Sequence, residues 1–274
     1  MIDELVRISN LASREILDVY NSEFTVHRKS DESPVTQADL RAHDVIVREL
    51  TLLDPSIPIL SEEERIPGPR VRRKWKQYWL VDPLDGTRDF IDRNGEFTVN
   101  IALIEDGKPN LGVVNVPTEE IVYSGDCVGH KAIVQSTETR RTIVSREVDL
   151  SALVLLESRH NTTPNNDRFT EHLVQSGRKV MRENVGSSWK ICRIAEGSAD
   201  FYLRCGPTSE WDLAAAHAVL RAAGGHLRLL SGAPLHYNQK ESLLNPSFFA
   251  CGDSPDFWAT ELNAALSSVG EVGD

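Results

Sequence analysis

Cysteine is scarce in this 274-residue chain, and its four cysteines stand far apart. Cys127, Cys192, Cys205 and Cys251 include no C-x-x-C pair. Structural zinc sites and dense disulfide frameworks need closely spaced cysteines, so the spacing argues against both kinds of scaffold. Isolated cysteines are typical of a reducing compartment, and we therefore expect a cytoplasmic protein.

Positive charge is also in short supply, because 41 Asp and Glu residues outnumber 30 Lys and Arg residues. With a net charge of -11, the chain is a poor partner for a nucleic acid polymer, which needs a basic surface. It can still bind a small anion where cations stand between the anion and the carboxylates. No apolar run approaches the length of a membrane span, and the N-terminus lacks the features of a signal peptide.

Apolar residues make up 40% of the chain, which is enough for a sizeable core. Helical spacing predicts an amphipathic helix over Ile2–Tyr20 and a second helix after Thr36. Continuous apolar runs and turn residues predict strands, two of which form a hairpin around the turn at 105–108. The predicted strands lie at 78–81, 97–104, 111–116, 153–156 and 201–203, and further helices at 167–176, 187–195 and 211–223.

Strands and helices alternate throughout, which predicts a layered α/β or α+β architecture. The polar, basic segment at 137–146 suggests a join between an N-terminal α+β half, residues 1–138, and a C-terminal α/β half, residues 139–274. We expect the two halves to form one compact unit. A second basic stretch, at 70–76, is predicted to be a solvated helix face.

The segment Asp82-Pro83-Leu84-Asp85-Gly86-Thr87 follows an apolar strand. Pro83 disfavours helix at Asp82, and Gly86 permits a tight bend. The two carboxylates and the Leu84 carbonyl can then converge on one point, and hard oxygen ligands of this kind suit magnesium. An isolated D-P-x-D-G motif is more often an Asx turn after a strand. The motif alone leaves both alternatives open.

Four other short motifs have the same ambiguity. The acidic cluster at 61–64 suits a solvated loop as well as a metal site. Asp212 stands in a first helical turn, where the helix dipole favours carboxylates, and Asp39 completes a capping box with Thr36. The run Gly186-Ser187-Ser188 suits either a helix cap or an anion site formed by free backbone N–H groups.

Taken together, the motifs resemble the inositol monophosphatase superfamily of lithium-sensitive phosphatases. The resemblance is carried by V-D-P-L-D-G-T at 81–87, S-E-E at 61–63 and W-D-L-A-A-A at 211–216. Within the superfamily the chain is most similar to the bacterial CysQ type of bisphosphate nucleotidase, through 78–87, R-N-G-E-F-T-V-N-I-A-L at 93–103 and E-S-L-L-N-P at 241–246. The similarity extends from Ser33 to Pro246, and the run at 93–103 is the part most specific to the nucleotidases.

The resemblance implies an αβαβα sandwich and two or three magnesium ions, with most of the ligands in the N-terminal half. The implied metal ligands are Glu62, Asp82, the Leu84 carbonyl, Asp85 and Asp212. Thr87 would orient the attacking water with Asp39 as its hydrogen-bond partner, and Glu63 would support the site. The implied substrate-binding residues are Glu62, Leu84, Asp85, Gly86, Thr87 and Asp212 together with Gly186, Ser187, Ser188 and Lys190 of the nucleotide pocket.

The implied reaction removes the 3'-phosphate of 3'-phosphoadenosine 5'-phosphate, a by-product of sulfate assimilation, and yields AMP and phosphate. Its 5'-phosphosulfate form is an open second substrate, and a homodimer and association with the cytoplasmic face of the inner membrane are open alternatives. Two other functions compete: an inositol or other polyol monophosphatase, and a non-catalytic nucleotide sensor. One segment departs from the nucleotidase pattern, because Glu157-Ser158-Arg159-His160 replaces the usual Ser-Arg-Ser-His.

Overall fold

Two β-sheets and three groups of helices are stacked in the computed structural model, which describes residues 1–28 and 34–267. Ser33, the first residue of the family resemblance, lies outside the described residues. The helices are α1 Ile2–Tyr20, α2 Gln37–Leu53, α3 Pro69–Arg72, α4 Thr87–Ile91, α5 Pro164–Gln175, α6 Trp189–Ala195, α7 Glu210–Ala222 and α8 Pro255–Leu266. None of the helices in these described ranges is long and apolar enough to cross a membrane.

The strands are β1 Val26–Arg28, β2 Pro34–Thr36, β3 Ile59–Ser61, β4 Gln77–Asp85, β5 Thr98–Glu105, β6 Lys108–Val116, β7 Ile121–Asp126, β8 Lys131–Gln135, β9 Arg140–Thr142, β10 Leu153–Ser158, β11 Val180–Val185, β12 Phe201–Arg204, β13 His226–Leu229 and β14 Phe248–Cys251. One sheet has seven strands in the order β3-β4-β5-β6-β7-β8-β9, and only β3 and β4 are parallel. The other has five strands in the order β11-β10-β12-β14-β13. β1 and β2 form a separate two-stranded sheet.

Alternating side chains explain why the predicted strands contain continuous apolar runs. Leu153 and Leu155 of β10 point to one face of the five-stranded sheet, whereas Val154 and Leu156 point to the other, and all four are buried. A sheet covered on both faces needs apolar residues at every position. Here α5 and α8 cover the outer face, while α6 and α7 fill the space between the two sheets.

The remaining layer consists of α1 and α2, which pack together on the outer face of the seven-stranded sheet. The layer order is therefore αβαβα, as the family resemblance implies. On the inner face, α7 lies so close to the sheet that two strands carry glycine beneath it. A methyl group on Gly112 of β6 would collide with the carbonyl oxygen of Ala215, and one on Gly125 of β7 would lie 2.6 Å from the Cα of Val219.

The predictions that depend only on a short stretch of sequence agree with the structure. Helix α1 has the predicted bounds, and the capping box of Thr36 and Asp39 opens α2. Gly224, with φ of +90°, follows the end of α7. The division at 138 stays a prediction, although the chain remains in the seven-stranded sheet until Thr142.

The prediction that the basic stretch at 70–76 is a solvated helix face is wrong for Arg72. Its side chain is 1% exposed and donates hydrogen bonds to the Asn238 side chain and to the carbonyls of Lys240 and Glu241. Lys240 in turn pairs with Glu210, the buried first residue of α7. A guanidinium can be buried when most of its donors are paired in this way, although the buried Nε of Arg72 has no hydrogen-bond partner among the described residues. The basic pattern gave no sign of partners 166 to 169 residues away.

We predict that the buried His217 of α7 makes the fold sensitive to acid. Its Nδ1 lies 2.9 Å from the Tyr237 hydroxyl, and burial lowers the pKa of His217 to about 3. Between that pKa and the ordinary value of about 6.5, the unfolded chain binds a proton that the folded chain does not. The free energy of unfolding should therefore fall by about 2 kcal/mol between pH 7 and pH 5 because of this residue alone.

Urea unfolding of the wild type and of His217→Gln at both pH values measures this contribution. We expect the pH-dependent loss to be about 2 kcal/mol smaller in the variant. His27→Gln, which changes an exposed histidine, serves as the matched control and should keep the wild-type dependence. An equal loss of stability in wild type and His217→Gln would contradict the prediction.

Candidate active site

A cleft of about 410 Å³ lies where β4 ends and α7 begins, with walls from both halves of the chain. All eleven residues expected to bind metal or substrate line it: Glu62, Asp82, Leu84, Asp85, Gly86, Thr87, Gly186, Ser187, Ser188, Lys190 and Asp212. Two predicted residues, Asp39 and Glu63, stand outside its lining. The fold thus brings together residues that are up to 150 positions apart in sequence.

The D-P-L-D-G-T segment is the irregular end of β4. Pairing with β5 shifts between Asp82 and Asp85, and the Leu84 N–H donates to Asp82 Oδ1 at 3.0 Å. Gly86 then takes a left-handed φ of +89°, and a side chain there would also meet the carbonyl of Glu96. This bend stops the strand and begins α4 at Thr87. The Asx-type contact is therefore present, while the convergence of the carboxylates on one point stays a prediction.

Four carboxylates from three parts of the chain crowd the cleft. Burial raises the pKa of Asp82 well above its usual value, and the negative charges of Glu62, Asp85 and Asp212 raise it further. Burial likewise raises the pKa of Asp212 well above the usual range, with Asp85 and Glu62 adding to the shift. The pKa of Asp85 is raised to about 6, chiefly by burial, although Lys190 and the Ser188 N–H oppose the shift.

These residues fit a hard divalent cation by their donor chemistry. Buried carboxylates that repel one another are stabilised when a cation replaces the protons they would otherwise retain. Within residues 1–28 and 34–267, however, no three His, Cys, Asp or Glu side chains are already arranged as a ligand set around one point. The metal ligands Glu62, Asp82, Leu84, Asp85 and Asp212 accordingly stay a prediction.

Thr87 meets Asp39 at the edge of the cleft, as the resemblance implies. The Thr87 hydroxyl lies 3.3 Å from Asp39 Oδ1 and 3.4 Å from the Leu84 carbonyl, and its single proton can be donated to one of them at a time. Asp39 Oδ2 accepts from the N–H and hydroxyl of Thr36 at 2.8 and 2.7 Å. Burial raises the pKa of Asp39 despite these donors. Asp39 is therefore both a helix cap and the partner of Thr87.

Asp212 combines the same two roles at the start of α7. Its Oδ2 accepts from the Ser209 N–H at 2.9 Å, which completes a capping box, and the side chain also lines the cleft. Asp212 therefore caps the helix and also lines the cleft, while its role as a metal ligand stays a prediction. Glu63 follows Glu62 in the turn after β3. Its supporting role is not apparent from the cleft and stays a prediction.

The structure of the turn Gly186-Ser187-Ser188 contradicts one of the two predictions made for it, an anion site formed by free backbone N–H groups. The N–H of Gly186 donates to Glu96 at 2.6 Å, and the N–H of Ser188 donates to Asp85 Oδ2 at 2.6 Å. Ser187 has a left-handed φ of +48°. An anion site needs free N–H groups, so the prediction of an anion site is wrong for the N–H groups of Gly186 and Ser188. The turn instead connects the proposed nucleotide pocket to a predicted metal ligand.

Lys190 is the buried cation of the cleft. Only 4% of it is exposed; its Nζ donates to the Val185 carbonyl at 2.8 Å and lies 5.4 Å from the centre of the Tyr202 ring. Burial lowers the pKa of Lys190 to about 8, while the charge of Asp85 favours the protonated form. At neutral pH the ammonium therefore supplies positive charge beside the carboxylates.

Several residues of the cleft did not stand out in the sequence. Arg204, 7% exposed, ends β12 and donates to the carbonyls of Gly206 and Pro207. Arg88 and Asp89 line the opening as well. One signal was available: a charged residue that ends an apolar strand, as in F-Y-L-R at 201–204, often points into a functional site. The departing segment at 157–160 does reach the cleft.

Comparisons with known proteins agree with this fold. A model of the inositol monophosphatase family matches residues 1–270. The chain is 46% identical over 250 residues to the 3'(2'),5'-bisphosphate nucleotidase CysQ of Salmonella typhimurium, covering 90% of this chain and 98% of that protein. It is 45% identical over the same length to the protein of that name from Escherichia coli, with the same coverage.

Solved structures show the same relationship. The crystal structure of CysQ from Bacteroides thetaiotaomicron superimposes with a TM-score of 0.82 at 36% identity, covering 92% of this chain and 97% of that chain. An inositol monophosphatase from Anabaena superimposes with a TM-score of 0.75 at 25% identity, covering 98% of both chains. The predicted αβαβα fold and the family resemblance are confirmed. The chain belongs to the inositol monophosphatase family.

Proposed function

We propose that this chain is a magnesium-dependent phosphatase that removes the 3'-phosphate of 3'-phosphoadenosine 5'-phosphate and releases AMP. The observation that carries the proposal is one cleft that combines crowded carboxylates, Asp82, Asp85 and Asp212, with the buried cations Lys190 and Arg204. Carboxylates are suitable ligands for metal ions at the phosphate that is removed. The two buried cations can pair with the second phosphate of 3'-phosphoadenosine 5'-phosphate. The relatives from Salmonella and Escherichia bear the name 3'(2'),5'-bisphosphate nucleotidase.

Glu62, Asp82, the Leu84 carbonyl, Asp85 and Asp212 would hold the magnesium ions. Bound magnesium supplies a lowered pKa for the attacking water and charge stabilisation for the leaving oxygen. The carboxylates concentrate negative charge in a partly buried cleft, where it repels an anionic ester unless a cation neutralises it. The acidic net charge of the chain is therefore compatible with an anionic substrate.

Thr87 and Asp39 would orient the water. When the Thr87 hydroxyl donates its proton to Asp39, its oxygen is left as an acceptor for a proton of the water. The two hydrogen bonds from Thr36 hold the Asp39 carboxylate in position. Orientation of this kind lowers the barrier because the nucleophile no longer has to be ordered during the reaction.

Lys190, with the turn at 186–188, would contact the nucleotide, and Arg204 would add positive charge. The 5'-phosphosulfate form of the substrate presents a similar anion to these side chains. A reducing cytoplasm suits the four cysteines, which are all free thiols in the structure. A homodimer and a contact with the inner membrane face stay predictions from the family resemblance.

The proposed substrate is tested by phosphate release from 3'-phosphoadenosine 5'-phosphate and from inositol 1-phosphate under the same magnesium concentration. We expect kcat/KM to be at least about 100-fold higher for the nucleotide, because the small polyol leaves the cations near Lys190 unpaired. Equal or faster hydrolysis of inositol phosphate would replace the proposal with a polyol monophosphatase. Tight nucleotide binding with no hydrolysis of either ester would favour a non-catalytic sensor.

Asp85→Asn is predicted to lower kcat about 1,000-fold and to leave the fold intact. The amide oxygen has the shape of the lost carboxylate oxygen and can still accept from Ser188, but it carries no charge for a metal ion. Phosphate release and thermal unfolding measure the two effects. Asp126→Asn changes a carboxylate outside the cleft and is the control. Wild-type turnover in Asp85→Asn would refute the metal assignment.

Thr87→Val should lower kcat about 100-fold with little change in KM, since valine keeps the shape and removes the hydroxyl. Thr87→Ser retains the hydroxyl, so we expect it to keep most of the activity. Steady-state kinetics with the nucleotide distinguishes these variants. If valine were as active as serine at this position, the hydroxyl would have no part in orienting the water.

A further inference from the structure

The run R-N-G-E-F-T-V-N at 93–100, part of the stretch by which the sequence resembles the nucleotidases, contributes no residue to the lining of the cleft. It lies directly behind the turn at 186–188. Its backbone and the turn approach so closely that a methyl group on Gly186 would lie 2.5 Å from the Glu96 carbonyl oxygen and 2.6 Å from its Cβ. Only glycine fits at position 186 against this segment.

Glu96 makes charged contacts with two separate parts of the cleft wall. Its Oε2 accepts from the Gly186 N–H at 2.6 Å, while Arg159 donates to Oε1 at 2.6 Å and to Oε2 at 3.1 Å. The Glu96 side chain is 19% exposed and the Arg159 side chain 40%. Gly186 and Arg159 both line the cleft, whereas Glu96 does not. One carboxylate therefore fixes two wall elements from behind.

The contact between Ser188 and Asp85, a predicted metal ligand, is held independently of Glu96. The Ser188 hydroxyl donates to Asn100 at 2.7 Å and lies 2.9 Å from the Thr98 hydroxyl. These bonds keep the Ser188 N–H against Asp85 without help from Glu96. Removing the Glu96 carboxylate should therefore loosen the Gly186 end of the turn and Arg159 while the Asp85 contact remains.

We infer that Glu96 is a positioning residue for the nucleotide: it holds the Gly186 turn and Arg159 in the arrangement that the bisphosphate nucleotide requires, and it does not touch the substrate. This inference rests on the proposed function. Charge-assisted hydrogen bonds are stronger than neutral ones, and a wall that is ordered in advance lowers the cost of binding. The loss should appear in KM for a nucleotide and be absent for an ester too small to reach the wall.

The test compares 3'-phosphoadenosine 5'-phosphate with para-nitrophenyl phosphate, in wild type and in Glu96→Ala. We expect KM for the nucleotide to rise about 10-fold, with kcat within about 2-fold, because two charge-assisted contacts are lost. For para-nitrophenyl phosphate kcat/KM should be unchanged, as should the magnesium concentration for half-maximal activity. AMP binding followed by calorimetry should weaken about 10-fold as well.

Glu96→Gln refines the test because its amide oxygen can still accept from Gly186 but its neutral side chain no longer pairs with Arg159. An intermediate KM is expected. Glu138→Ala, an exposed glutamate in the turn before β9, is the control and should behave as wild type. An unchanged KM in Glu96→Ala, or an equal loss with both substrates that accompanies a lower melting temperature, would overturn the positioning role.

Failure of the proposed function has a different signature. If wild type hydrolyses para-nitrophenyl phosphate but not the nucleotide, the proposed substrate is wrong and the inference falls with it. If wild type hydrolyses both esters and Glu96→Ala leaves their relative kcat/KM unaltered, only the inference is wrong.

Discussion

Crowding of like charges is the constraint on which the rest of this structure depends. Asp82, Asp85 and Asp212 line one cleft with Glu62; burial raises the pKa of all three aspartates, and the charge of Glu62 raises each of them further. Such a cluster opposes folding, since burial penalises every ionised group and repulsion adds to the penalty. The surrounding layers must provide enough apolar burial to keep it in place. The three cores between and outside the two sheets supply that burial.

The carboxylate cluster is held in place by a strand that ends at the cleft and a helix that begins there. β4 ends at Asp85 and α7 begins at Glu210, so their carboxylates point into the cleft while their apolar sides remain in the core. Helix α7 can approach the sheet only because Gly112 and Gly125 lack side chains. The position of Asp212 therefore depends on glycines far from the chemistry as much as on its own capping box.

Short-range patterns predicted much of this molecule, and long-range partners account for what they missed. The bounds of α1, the Thr36 capping box and the left-handed Gly224 each depend on residues within one helical turn or one bend. The burial of Arg72 and the donation by the N–H groups at 186 and 188 depend on partners 90 to 169 residues away. No local pattern contains those partners, because tertiary contacts decide whether these particular polar groups are free.

The two sides of the cleft differ in how tightly their residues are held, and this difference bears on how substrates are distinguished. On the carboxylate side, Asp82, Asp85 and Asp212 each accept a hydrogen bond from a backbone N–H. On the opposite wall, the partly exposed His160 pairs with Asp89, and the partly exposed Arg159 pairs with Glu96 and donates to the Asn184 carbonyl. A wall held by a few side-chain contacts can change by substitution without disturbing the carboxylate side. The departure from the nucleotidase pattern at 157–160 lies on this wall, which is where a family can vary its substrate while keeping its chemistry.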